Sequence, residues 1–210
     1  MTHKFNKIKS VIFPHTKINY FVIIILFLGV ISGAIFSNII DLNDQKLVTE
    51  KIRSLITTIN NQDLNSILAF KNSIITNLSY SLIIFILGLT IIGIIINIFL
   101  LYIKGFVFGF SLSSFIMTYS YKGIILSTLY TLFGQLLNLI VIIILTIYSI
   151  TFTMNLLKQI IKNKPTINIP KQFKINLIIF LITIIISFIS SINEAFIFPT
   201  FIKLIIKLFI

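Results

Sequence analysis

From Tyr20 to Ile40 the chain reads YFVIIILFLGVISGAIFSNII, without one charged residue. A helix rises about 1.5 Å per residue, so such a run crosses the roughly 30 Å hydrocarbon core of a bilayer. Further apolar runs follow at Tyr80–Ile103, at Gly105–Ser120, from Gly123 to Leu157 and at Ile175–Asn193. With 57% hydrophobic residues, 10% charged and a mean hydropathy of +1.09, a soluble domain of this length could not keep so much apolar surface from water. Inside lipid every backbone polar group must be satisfied within the protein, which makes helices the spanning element. The expectation is all-α: a polytopic membrane helix bundle of about five transmembrane helices, forming a single integrated membrane domain.

The charges then order the segments. Residues 1–18 are a basic tail with Lys4, Lys7, Lys9 and Lys17 and no acid, ahead of a first span at 19–40. The apolar run is long enough to span, so it reads as a retained anchor and not a cleaved signal peptide. Residues 41–78 set Asp41, Asp44, Glu50 and Asp63 against Lys46, Lys51, Arg53 and Lys71. By the positive-inside rule this neutral segment is extracytoplasmic and the N-terminus cytoplasmic. Within it Val48, Ile52, Leu55, Ile56 and Ile59 share one helical face, and NNQD at 60–63 breaks the helix, with Asp63 able to cap the next one. An amphipathic extracytoplasmic hairpin after the first span is expected. Lys104 closes a second span at 79–103, and a third occupies 105–121; were that third run re-entrant the count would drop to four, which would put the five-lysine loop outside, against the positive-inside rule. The fourth, at 123–157, has a cytoplasmic extension. A basic cytoplasmic loop at 158–174 carries Lys158, Lys162, Lys164, Lys171 and Lys174, which set topology and meet anionic lipid. The fifth span covers 175–193, and 194–210 is an extracytoplasmic tail. Tyr20, Tyr80, Tyr102, Tyr119, Tyr121 and Tyr148 fall near the interfaces of this scheme, and Tyr130 does not.

Several function classes find no residues to support them. The net charge of +12 sits between apolar runs, so it reports orientation and not a nucleic-acid partner. Cysteine is absent, and the two histidines, His3 and His15, lie in the N-terminal tail. No HExxH or GxSxG pattern occurs. The expectation is a protein that is not an enzyme and has no cofactor, no metal and no nucleic acid, with membrane lipids as its surroundings. Homo-oligomerisation stays open.

What lipid alone does not ask for is the pattern of small and polar residues. Gly29 and Gly33 in the first run, and Gly105, Gly109 and Ser113 later, recur at four-residue steps, the spacing that lets helix backbones approach. Gly105 and Gly109 are expected to bring the second, third and fourth spans together. Ser127, Thr131, Gln135 and Asn138 form a polar row at helical spacing, and Asn97 stands alone in an apolar run. Asn97, Gln135 and Asn138 read as intramembrane polar contacts between helices. Glu194 is the one acid outside residues 41–78. An ionisable group at membrane depth is a functional candidate by default; the plainer alternative is a headgroup-level residue or helix cap. Its nearest expected basic partner is Lys122.

Three segments in order, KGFVFGF at 104–110, GQLLN at 134–138 and INEAFIFP at 192–199, carry a resemblance. With the polar first extracytoplasmic segment and the five-span length, the chain resembles the stage II sporulation protein M family. It departs where the family's helix motif has proline before glutamine: here Gly134 precedes Gln135, and Leu136 and Leu137 intervene before Asn138. The resemblance implies a multi-pass protein of the cell (plasma) membrane, at the sporulation septum, acting in forespore engulfment during endospore formation. It implies a scaffold for peptidoglycan hydrolases, stage II sporulation proteins D and P, that performs no bond chemistry itself. The alternative is a transporter or channel subunit of the wider family with the same membrane domain.

Overall fold

The computed structural model describes residues 16–61, 65–162 and 168–209. These residues are helical apart from short turns, with no strand among them. The helices are α1 (Thr16–Ile39), α2 (Leu42–Asn60), α3 (Ser66–Leu87), α4 (Gly93–Tyr119), α5 (Tyr121–Leu129), α6 (Leu136–Lys162), α7 (Ile169–Ile192) and α8 (Phe198–Phe209). Two π-helical turns interrupt the pattern: Tyr130–Gln135 joins α5 to α6, and Asn193–Ile197 joins α7 to α8. Among the described residues five stretches are long and apolar enough to cross a membrane: Lys17–Ile39, Ser66–Leu87, Gly93–Tyr119, Leu136–Ile161 and Ile169–Ile206. The chain is a polytopic helical bundle, and these stretches make it a multi-pass membrane protein. The α6 stretch is the axis, with 67% of its apolar window buried against 22–28% in the others.

The second and third spans differ from the sequence expectation. Lys104 does not end a helix; α4 runs through it without a break. The turn lies at 88–92, between Leu87 and Gly93. There the Gly93 N–H donates to Thr90 Oγ1 at 3.1 Å. A Cβ on Gly93 would stand 1.6 Å from the Leu87 carbonyl oxygen, so the reversal depends on glycine. What reads as the second arm of a polar hairpin is the first half of α3, whose N-cap is Asn65, its side chain accepting from the Leu68 N–H at 3.0 Å. The second span is therefore 66–87 rather than 79–103, and the third 93–119 rather than 105–121. Asp63, the expected cap, lies outside the described residues, as do Lys164 and residues 1–15 of the basic tail. The first arm of the hairpin is present as α2. The fifth span begins earlier, at Ile169, where Asn168 caps the helix and Pro170 occupies its first turn. It continues through its π turn into α8, so residues after 193 extend the fifth helix.

The largest helix pairing is α1 against α4, and it is made by backbone. A Cβ at Gly29 would lie 2.4 Å from the Tyr102 oxygen, at Gly33 2.0 Å from the Phe106 oxygen, at Gly105 2.5 Å from the Leu26 oxygen and at Gly109 2.0 Å from the Val30 oxygen. The two glycine stripes thus face one another. Gly105 and Gly109 close on the first span, not on the second and fourth. Ser113, one step further, accepts from Asn38 Nδ2 at 3.1 Å, and Ser32 and Tyr102 hydroxyls meet at 2.8 Å. Tyr102 and Tyr80 consequently sit inside the bundle rather than at interfaces; the Tyr80 hydroxyl donates to the Leu100 carbonyl. Val22, Leu26, Ile84, Leu101, Ile142 and Leu145 form one apolar core. A second, of Ile56, Ile59, Phe115, Leu126, Phe198 and Ile202, holds α2 and α8 across one end of α4 and α5.

Candidate functional site

The polar residues that sequence reasoning scatters over three spans converge beside the two π turns. A π turn inserts one residue into the helical ladder and re-aims the side chains around it, and such insertions occur frequently at functional sites. Here the two turns contact each other, and each carries a polar residue of the site: Gln135 ends the first and Glu194 is the second residue of the other.

The Glu194 carboxylate takes one donor on each oxygen. Ser73 Oγ donates to Oε2 at 2.5 Å, and Gln135 Nε2 donates to Oε1 at 3.2 Å. Gln135 Nε2 also reaches the Tyr130 hydroxyl oxygen at 3.2 Å. Behind Ser73 the network continues inward: Asn77 Nδ2 donates to Ser73 Oγ and to Ser191 Oγ, both at 3.3 Å. Asn138 Nδ2 in turn donates to Asn77 Oδ1 at 2.5 Å. Five segments, α3, α6, α7 and the two π turns, are therefore tied by one hydrogen-bonded chain that ends on a carboxylate. Asn77, Asn138 and Ser191 are buried, so each bond replaces one that water would otherwise supply.

Lys104 belongs to this site and not to a membrane boundary. It lines a cavity of about 450 Å³ together with Ser73, Asn72, Tyr130, Gln135 and Glu194, and with Leu55 and Ile59 of α2 at its roof. Its ammonium lies over the Tyr80 ring, 5.4 Å from the centroid. The expected basic partner of Glu194, Lys122, lines a different cavity beside Ile56, Tyr119 and Leu126. On α4 the residues Lys104, Phe108 and Ser111 face the cavity while their neighbours Gly105 and Gly109 face α1, so one helix is the wall between the glycine seam and the polar site.

The remaining candidates sit elsewhere. Asn97 is fully buried in the turn region, its Nδ2 donating to the Ile84 carbonyl at 3.1 Å. That bond braces α3 against α4 beside the 88–92 reversal. Lys158, Lys171 and Lys174 are exposed, and Lys162 closes α6; all four flank residues 163–167 at the C-terminal end of α6 and the start of α7. Sequence reasoning missed Ser73 and Asn77 as site residues because they fell in a segment read as interfacial. The signal was there: Ser73, Asn77 and Ser81 recur at four-residue steps in an otherwise apolar stretch. Tyr130, the one tyrosine that fitted no interface, is the residue on which Gln135 rests. No cluster of three or more possible metal ligands occurs among the described residues.

The order of the motifs and the five apolar stretches point one way, and comparison with known families gives the same answer. Comparison with curated proteins and with solved structures returned no match. A family model described as stage II sporulation protein M matches residues 22–199, from the first span to Pro199 beyond Glu194. The chain belongs to the stage II sporulation protein M family.

Proposed function

We propose that this protein is a membrane scaffold that holds cell-wall hydrolases at the membrane during forespore engulfment, and that it carries out no bond chemistry of its own. The observation that carries the reading is α2. Its Ile56 and Ile59 are buried against the bundle while Asp44, Lys46, Glu50, Lys51 and Arg53 stand exposed along the same helix. An amphipathic helix pinned by its apolar side presents its charged side in a fixed place, as a docking ridge requires and a lipid-facing helix does not. On this reading α2 and α8 lie outside the cytoplasm, the N-terminus inside, and the partners are the peptidoglycan hydrolases that family resemblance supplies, stage II sporulation proteins D and P, at the septal membrane.

The test is chemical cross-linking in sporulating cells that express tagged protein, either intact or with Asp44, Glu50 and Arg53 all changed to alanine. Hydrolases captured by the intact protein and lost from the variant, with membrane insertion preserved, support the scaffold. Equal capture by both removes α2 as the docking element. A second reading, a transporter or channel subunit, is favoured by the cavity that holds Lys104 and Glu194 inside the bundle. Solute flux in proteoliposomes that Glu194→Ala abolishes would favour it over the scaffold.

A further inference from the structure

We propose that the cavity beside the π turns is a binding site for a small zwitterion, a molecule carrying a carboxylate or phosphate a few bonds from an ammonium. The site rests on the cavity's own groups and holds whether or not α2 recruits hydrolases.

The volume of about 450 Å³ falls within the roughly 300–1,000 Å³ of ligand pockets. The chemistry of its walls sets the class. Lys104 has three N–H donors, and the contact that locates its ammonium is the face of the Tyr80 ring, which attracts a cation but supplies no lone pair in the direction of a hydrogen bond. Those donors ask for an anionic oxygen. Glu194 has the opposite need. Ser73 and Gln135 fill one position on each carboxylate oxygen, and a carboxylate offers about four lone-pair sites. An ammonium can therefore be accepted without breaking either bond.

Net charge decides between a single ion and a zwitterion. Lys104 and Glu194 share one cavity within stretches that cross the membrane, Gly93–Tyr119 and Ile169–Ile206. Together they are neutral. A bound anion or a bound cation would leave one uncompensated charge away from water, which costs several kcal/mol. A zwitterion laid head to tail across the pair adds no net charge and pairs both groups. Asn72 and Tyr130, which also line the cavity, add hydrogen-bonding capacity.

The roof indicates the way in. A second cavity of about 400 Å³ lies beneath α2, and Leu55, Ser111 and Tyr130 line both. The Leu55 side chain at this junction is 40% exposed, unlike its buried neighbours Ile56 and Ile59. Zwitterions of this class come from two sources: free amino acids, or the phosphoethanolamine headgroup of a lipid.

The experiment uses the purified full chain in nanodiscs made either of phosphatidylglycerol alone or with phosphatidylethanolamine added. Binding and thermal melting are measured with glycine, alanine and glycerophosphoethanolamine, whose phosphodiester carries a single negative charge as the lipid headgroup does, and with acetate and methylammonium as single-charge controls. The expected result is that at least one zwitterion binds and raises the melting temperature while both controls, at equal concentration, do neither. Lys104→Gln and Glu194→Gln should each weaken that binding by tenfold or more. Leu55→Trp, which keeps both charges and fills the junction, should weaken it comparably and covers the case in which the charge variants do not fold. Loss of soluble-probe binding when phosphatidylethanolamine is present identifies the headgroup as occupant; binding indifferent to lipid identifies a free solute. Acetate binding as tightly as the zwitterions, no response to any probe in phosphatidylglycerol discs, or unchanged affinity in Leu55→Trp would each overturn the proposal.

Discussion

Replacing Gly33 by alanine should destabilise the bundle, and the sign of the effect is diagnostic. Alanine is the better helix former by up to about 1 kcal/mol, so at a helical position with open space the change stabilises. At Gly33 the added Cβ would stand 2.0 Å from the Phe106 carbonyl oxygen, about 1.5 Å short of van der Waals contact. The obstacle is backbone, which has no rotamer to change, so α1 and α4 must part. Opening a close-packed seam by about 1 Å forfeits a quarter to a half of each contact's attraction along it. Overpacking of this kind costs about 1–3 kcal/mol net. Gly109 meets the Val30 oxygen at the same 2.0 Å from the other side of the seam. Once one substitution has parted the helices the second meets less resistance, so Gly33→Ala with Gly109→Ala should cost less than the sum by about 1 kcal/mol. Unfolding of the purified protein by sodium dodecyl sulfate measures all three variants, with the lipid-exposed Ile95→Ala as control. A Gly33→Ala protein as stable as the parent, or more so, refutes backbone contact across this seam.

Other outcomes follow from the polar chain and the turns. Asn138→Leu should cost about 1–2 kcal/mol by stranding the Asn77 carbonyl oxygen, and Asn77→Leu on top of it should add little, as a double-mutant cycle by the same unfolding assay will show. Glu194→Gln keeps the size of the side chain but turns one acceptor oxygen into an NH2 group, which then faces either the Ser73 or the Gln135 donor; it should lower the melting temperature more than Asn72→Ala, a change that leaves the hydrogen-bonded chain intact. Gly93→Ala should be among the most damaging single changes outside the α1–α4 seam, because its Cβ would lie 1.6 Å from the Leu87 oxygen; expression and melting both report it. The chain has no native cysteine, so Asn60→Cys, Lys122→Cys and Lys171→Cys can each be probed with an impermeant thiol reagent. Labelling at 60 and 122 but not 171 in intact cells is expected, and labelling at 171 alone would invert the proposed orientation.

The sequence displayed the helical class and the number of apolar stretches because lipid imposes a length that hydropathy reports directly. It displayed Gln135, Asn138 and Glu194 for the same reason, since a polar residue in an apolar run is visible without any structure. Boundaries were harder. Lys104 looked like an end because a lysine inside a span is costly, and only the cavity that receives it removes that objection. Residues 72–78, NSIITNL, looked extracytoplasmic because composition averages over faces, whereas α3 turns Ser73 and Asn77 inward against its neighbours. Four-residue glycine spacing marked two packing faces correctly but could not say that they meet each other, because spacing carries no information about the partner helix.

The two seams of α4 divide the bundle into parts of unequal stiffness, and that division bears on where a ligand or a docked partner could act. Toward α1 the contact at Gly29, Gly33, Gly105 and Gly109 is backbone on backbone, supplemented by the Ser32–Tyr102 and Asn38–Ser113 hydrogen bonds. On its other side Lys104, Phe108 and Ser111 face a cavity that is also lined by Ser73, Asn77, Gln135 and Glu194 of the hydrogen-bonded chain, with both π turns beside it. Side chains and π turns have alternative arrangements close in energy; a glycine seam does not. The side of α4 where side chains can rearrange is therefore the cavity, which Leu55 and Ile59 of α2 share with Lys104 and Glu194, and not the close α1–α4 pairing.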